Sequence, residues 1–308
     1  MVDVSKLIRG LYRALPVAVP LCGMKRNATL AVFDRLFRSP AGTYRLALAS
    51  DGGGDGLELA HENPNERLLK YAYWNVRRYF LRSGLGQIIQ REAWDGGKTF
   101  VDIGANLGLY SMMAKRGGAT TVCFEPEPVH FAFLARNRAF FDHAFNLALC
   151  AVDGTAAFHV GTYKNPGCSS LVSSDAGRDA YYYERTIDVP TQRWDTFLAE
   201  HPEVRPETIA GIKIDVEGAE VETLKGMQDF LPNAGAWLWT EACGSESDRA
   251  RNSYRGIIEV LSGAGYDAWV MNQGLLRPFD ERRDVEEVFD LFFARPERHG
   301  TLLAAFSG

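Results

Sequence analysis

The residues best suited to chemistry fall in a few short stretches. Lys213-Ile214-Asp215-Val216-Glu217 alternates charged with apolar residues, so in extended backbone Lys213, Asp215 and Glu217 share one face. Asp102 ends an apolar run just before Gly104-Ala105-Asn106-Leu107-Gly108, and Glu125 ends a second run, ahead of Pro126 and Pro128, which stop it and stiffen its turn. Glu241 ends another. A carboxylate within hydrogen-bond reach of a hydroxyl takes its proton as the oxygen becomes a nucleophile, a role that suits Asp215, with Glu217 close by. Glu241 would face the same crevice and bind hydroxyls or pair with a positive group. Lys213 lies in a run that should be buried, where an unpaired ammonium is costly, so its stem should reach Asp215 or Glu217. The same residues also admit a structural account, an ion pair followed by a helix start that Glu220 stabilises.

Over 98–113 an apolar run, a glycine-bearing turn and an amphipathic pattern follow one another, the form that lays backbone against a nucleotide-like cofactor. NAD needs the helix N-terminus free for a pyrophosphate. S-adenosylmethionine has no pyrophosphate; it carries an ammonium and a sulfonium, for which the carboxylate of Asp102 is useful. Asn106 stands where the usual G-x-G pair has its second glycine. Glu125 can accept from both ribose hydroxyls and suits either cofactor, while Glu127 reads as a solvated acid at a helix start. S-adenosylmethionine is therefore the expected cofactor and S-adenosylhomocysteine the product. Acids gathered at one sheet edge would also suit Mg2+, which lowers a hydroxyl's pKa. No loop has the dense acid spacing of a dedicated cation site, so metal is not favoured and no ligand is assigned.

These residues need a frame to hold them. Hydrophobic patterning predicts strands over 100–103, 120–124, 145–151, 209–216, 236–240, 266–271 and 288–294, with a short additional one over 156–161. Helices are predicted over 109–116, 129–141, 219–229 and 254–264. Such alternation implies an α/β fold, a mostly parallel sheet with helices on both faces. The last two strands are joined only by a charged, turn-rich connection, so an antiparallel pair should close the sheet, which is not expected of a plain dinucleotide-binding domain. Residues 1–95 read as an N-terminal extension, 96–296 as the cofactor-binding domain and 297–308 as a tail. Within the extension, alternation over 43–50 and 57–61 around a glycine-rich tip predicts a hairpin, and 66–83 an aromatic-rich helix. Val4, Leu7, Ile8, Leu11 and Leu15 fall at helical spacing; that helix should dock on its own domain or on a second copy as a homodimer, with weak peripheral membrane contact as the alternative. The polar 163–183 stretch reads as a lid or acceptor loop, with Tyr163, Ser169 and Ser170 as substrate-binding residues and Tyr181 to Tyr183 stacking on a sugar or anchoring the loop. His130 falls near the ribose or adenine and His159 on a strand; lone histidines of this kind are more often structural.

With 308 residues and a net charge of −5, and without a lysine/arginine block, the chain is a poor nucleic-acid binder. Its apolar run at 14–24 is too short, and too interrupted by Pro16 and Pro20, to span a bilayer. Five dispersed cysteines without a C-x-x-C pair suit reduced thiols in a cytoplasm better than disulfides or zinc.

VDIGANLGLYS (101–111), VCFEPEP with LARN (122–128, 134–137), CSSL (168–171) and IKIDVEGAEVETLKG (212–226) resemble the FkbM-type methyltransferases, over about 95–294. The resemblance implies a class I, Rossmann-like, seven-stranded sheet and S-adenosylmethionine-dependent methyl transfer, most often to a hydroxyl of a sugar, polyketide or other natural product. Carried over by position, Asp102, Gly104, Ala105, Asn106 and Gly108 would line the methionine part of the cofactor. Glu125 and Pro126 would hold the ribose, and Ala148 and Leu149 would lie beside the adenine. Trp194 stands where the family's L-D-x-L segment has leucine, read as a packing change. O-methyl transfer to a glycan or natural-product hydroxyl is the expectation. N-methyl or metal-assisted transfer on the same fold is the alternative; NAD-dependent oxidoreduction and an inactive binding protein are disfavoured by Asp102, the terminal strand pair and the intact acids.

Overall fold

The computed structural model describes residues 43–46, 57–60, 83–161, 167–172, 183–244, 254–286 and 288–307. The expected N-terminal helix, nearly all of the 66–83 helix, and Tyr163, Tyr181 and Tyr182 lie outside them. In chain order the described elements begin with β1 (Thr43–Leu46), β2 (Leu57–Ala60), α1 (Gly84–Arg91), β3 (Thr99–Ile103), α2 (Leu109–Arg116), β4 (Thr120–Phe124), α3 (Pro128–Arg136), β5 (His143–Phe145) and β6 (Ala148–Leu149). There follow β7 (Gly154–Gly161), β8 (Tyr183–Gln192), α4 (Trp194–Glu200), β9 (Ile209–Ile214), α5 (Glu220–Lys225), β10 (Trp237–Cys243) and α6 (Tyr254–Gly263). The last are β11 (Asp267–Asn272), β12 (Leu275–Pro278), α7 (Glu281–Asp284), β13 (Val288–Ala294) and α8 (Pro296–Ala304).

The central sheet has the order β12-β11-β13-β10-β9-β3-β4-β5. It is parallel from β10 to β5, and β13 runs antiparallel to both of its neighbours. This is the mostly parallel sheet with an antiparallel terminal strand that the sequence implies. The connection between β11 and β13 adds an eighth strand. A tight hairpin with Gln273 and Gly274 at positive φ returns the chain as β12 before the short α7. β1 and β2 pair antiparallel, as the alternation predicts.

Two expectations change. The single strand over 145–151 is two: β5 lies on the edge of the central sheet, while β6 joins a separate sheet of order β6-β8-β7. Asn146 sits at the break, its amide donating to the carbonyls of Glu125 and Pro126. β8, ten residues long, has no counterpart in the sequence reading. Its Glu184, Arg185, Asp188 and Pro190 give it the composition of a loop, and only Val189 and Thr191 are buried.

Side-chain alternation splits the core across the central sheet. Val101, Ile103, Ile212, Ile214 and Leu238 pack with α4, α5 and α6 on one face. Phe100, Trp237, Trp239 and Phe292 pack on the other with Leu85, Ile88 and Ile89 of α1 and Leu302 and Leu303 of α8. Trp194 is wholly buried there on the first face, against Phe124, Phe197 and Phe230, so the residue replacing the usual leucine is a packing residue. Asp102 and Lys213, cross-strand partners on β3 and β9, occur in phase with the second face.

Gly108 caps α2 with φ +68°, and a Cβ there would lie 2.3 Å from the Phe141 ring. Gly108→Ala should therefore lower stability by about 1–3 kcal/mol, read as a shifted urea midpoint at unchanged slope.

Candidate active site

The chain reverses at the carboxyl end of β3 through a turn that is bonded to both neighbouring strands. The amides of Gly104 and Ala105 donate to Phe124 O (3.0 and 2.9 Å), and the Asp215 amide donates to Ile103 O (3.2 Å). Gly104 has φ +73°, and a Cβ on it would sit 1.9 Å from the Asp215 carbonyl oxygen, so only glycine fits between the two strand ends. Asn106 adopts φ +53°, which its short polar side chain tolerates.

Lys213 fastens this turn from beneath. Its Nζ donates to Gly104 O at 2.8 Å and lies 3.2 Å from Asp102 Oδ1 and 3.5 Å from Asp215 Oδ2. Burial alone would pull the ammonium's pKa down; Asp102 and then Asp215 outweigh it and hold Lys213 above its ordinary value, so it stays charged. Asp102, 1 % exposed, also accepts from Ser111 Oγ at 2.8 Å. Its Oδ1 makes the ion pair with Lys213 but no hydrogen bond, and neither Asp102 nor Lys213, 4 % exposed, is among the residues lining the cleft above. Lys213 reaches Asp102 and Asp215, not Glu217.

A cleft opens above the turn. Gly104, Asn106, Glu125, Pro126, Ala148 and Leu149 line it as the sequence implies, together with His130, Leu147, Phe158 and Leu171. Ala105 and Gly108 are buried and are not among its lining residues; they shape the turn. Glu125 accepts from the Asn106 amide (2.7 Å) on one oxygen and the Glu127 amide (2.8 Å) on the other, which orients it while each oxygen keeps a lone-pair site for a ribose diol. Asn106 Oδ1 is buried without a hydrogen-bond partner among the described residues. An orphaned acceptor on the turn after β3 and an oriented carboxylate at the end of β4, with apolar Leu147, Leu149, Phe158 and Leu171 also lining the cleft, fit a cofactor with a cationic amino-acid end, a ribose and a flat base. The His130 ring stands 3.9 Å from both Glu125 and Glu127; burial opposes its charge, but Glu125 and then Glu127 raise its pKa on balance. Glu127 is not solvated: it is buried, caps α3 through the His130 amide (2.8 Å) and pairs with Arg185 of β8 (3.0 Å).

At the other end of the cleft stand the acids. Asp215 and Glu217 line it, and an oxygen of each lies with one of Glu241 inside a 4.8 Å cluster. β9 ends at Ile214, so Glu217 comes from the following turn, at φ +54°, and not from an extended strand. Glu220, 1 % exposed, accepts from the amides of Val216 (2.9 Å) and Gly218 (3.1 Å) and so organises that turn, the structural role. Burial pushes Glu220 up to about 7, and burial followed by Asp215 and Glu217 pushes Glu241 up to about 9. Burial and the neighbouring acids thus favour the protonated form of Glu241. Ser169 lines the cleft with its Oγ accepting from the Gly161 amide, whereas Ser170 is fully buried and does not face a ligand. Apolar Leu147, Phe158 and Leu171, and Ser111 behind Asp102, were not singled out as site residues; Ser111 and Leu171 had a signal, their places within the 101–111 and 168–171 motifs.

Removing the Lys213 ammonium should strand Asp102. Lys213→Met is expected to cost about 3–5 kcal/mol, and pairing it with Asp102→Asn should recover much of that loss in a double-mutant cycle of urea unfolding. The raised Glu220 pKa sets a sign: its contribution is present in full below about 4.5, the unfolded value, and is lost as pH rises through about 7. Thermal scans should show stability falling across that window, less steeply in Glu220→Gln; an identical slope would contradict the assignment.

The Methyltransferase FkbM domain family matches residues 102–268. Methyltransferase sdnD of Sordaria araneosa is 33% identical over 158 residues, 42% of this chain and 60% of that protein. Methyltransferase 1 of Beauveria bassiana (strain ARSEF 2860) is 27% identical over 176 residues, 49% and 66% of the two chains. The 31-O-demethyl-FK506 methyltransferase FkbM of Streptomyces tacrolimicus is 28% identical over 237 residues, 69% and 86%. The chain thus spans less than two thirds of the length of the first two.

Proposed function

The chain belongs to the FkbM methyltransferase family, and on that premise we propose that it transfers the methyl group of S-adenosylmethionine to a hydroxyl of a sugar, glycan or other natural product. The supporting observation is Asp215: a part-exposed carboxylate at the end of β9, lining the cleft and held by a buried ammonium. The relative from Streptomyces tacrolimicus, by its name a methyltransferase of 31-O-demethyl-FK506, is in keeping with an oxygen acceptor.

S-adenosylmethionine supplies an electrophilic methyl carbon, so the protein's task is alignment and proton removal. Asn106 would receive the cationic amino-acid end and Glu125 the ribose. Asp215, held ready by Lys213, accepts the acceptor hydroxyl's proton as that oxygen attacks. Glu241, protonated, donates to an acceptor oxygen and so orients it. Ala148 and Leu149 bound the base from the β6 side.

Asp215→Asn should keep S-adenosylhomocysteine affinity within about threefold of wild type and lose about 100-fold or more in methyl transfer. Full turnover in that variant would remove Asp215 from the role. Metal-assisted transfer is a second reading, favoured by the 4.8 Å carboxylate cluster. EDTA should leave turnover intact on the first reading and abolish it, reversibly with Mg2+, on the second.

A further inference from the structure

Ser170 joins two parts of the site that are far apart in the chain. Its hydroxyl donates to Glu217 O at 2.7 Å, 47 residues away, and accepts from the Val172 amide at 2.9 Å. Its backbone exchanges hydrogen bonds of 2.8 and 3.0 Å with His159 of β7. Its neighbours Ser169 and Leu171, with Gly167, form one wall of the cofactor cleft. On the far side of the same turn, Glu220 accepts the amides of Val216 and Gly218. The backbone carrying the acceptor-side acids, with Glu217 at φ +54° and Gly218 at φ +108°, is thus held by Ser170 on one side and Glu220 on the other.

We propose that Ser170 is a positioning residue that ties the wall of the cofactor cleft to the Asp215–Glu217 turn, so that filling the cleft steadies the acids. The proposal rests on the reading of this cleft as the cofactor site and of Asp215 as the proton acceptor. A ligand packed against Leu171 restrains segment 167–172, and the buried Ser170 hydroxyl passes that restraint to Glu217 O. Buried hydrogen bonds are costly to leave unmade, so the link is not readily replaced by water.

Amide exchange of the full chain, with and without S-adenosylhomocysteine, tests this. In the wild type the ligand should slow exchange at Asn106, which donates to Glu125, and also at Val216 and Gly218, by roughly ten-fold. Ser170→Ala should keep the slowing at Asn106 and lose it at Val216 and Gly218, and Ser170→Thr, which retains the hydroxyl, should restore it. Equal slowing in Ser170→Ala overturns the proposal. So does a wild type slowed at Asn106 but not at Val216 and Gly218, a result that stands even if the alanine variant fails to fold. No slowing anywhere in the wild type sinks the cofactor reading and the proposal with it. Full turnover by Asp215→Asn removes the assigned base while leaving the exchange result untouched.

Discussion

One buried ammonium sets the geometry of this site. Lys213 lies between two strand ends, with Asp102 on its cross-strand neighbour, Gly104 O above and Asp215 beyond. A lone lysine in this position would lose its proton or unfold the strand pair. Paired as it is, it ties the turn after β3 and Asp215 to a single charge. The glycine at 104 follows from this closeness, because the Asp215 carbonyl occupies the space where a side chain would begin.

The carboxylates around that charge divide according to their surroundings. Asp102 lies behind the turn with Lys213 and Ser111, whereas Glu125 lines the cleft, oriented by two backbone amides and with a lone-pair site left on each oxygen. Glu220 is taken up by the turn it caps. Asp215 keeps an exposed edge and a cation beside it, whereas burial, and then the neighbouring acids, raise the pKa of Glu241. Carboxylates of one site are thus set apart by their surroundings.

Much of this was legible in the chain. The strand over 120–124 and the helix over 109–116 coincide with β4 and α2, because Phe124 and Leu109 continue a pattern that glycine or proline cuts cleanly at each end. Glu125, Asn106 and Asp215 line the cleft, which lies at the carboxyl ends of the parallel strands where the sequence pattern puts them. The side-chain directions were not legible. Asp102 looked suited to a cationic cofactor, yet cross-strand register gave it Lys213 as a nearer partner. Ser170 looked like a loop hydroxyl open to a ligand, yet its backbone bridge to His159 turns it inward. β8 escaped notice because its exposed face carries the charges of a loop and its partners, β6 and β7, are set by a sheet whose existence no single segment announces.

The account stands or falls on what the cleft above Gly104 binds. Calorimetric titration of the full chain with S-adenosylhomocysteine and, separately, with NAD+ is the most direct measurement. The account predicts one site for S-adenosylhomocysteine, weakened about ten-fold or more by Glu125→Gln, and no binding of NAD+. Saturable NAD+ binding with none of S-adenosylhomocysteine would contradict it.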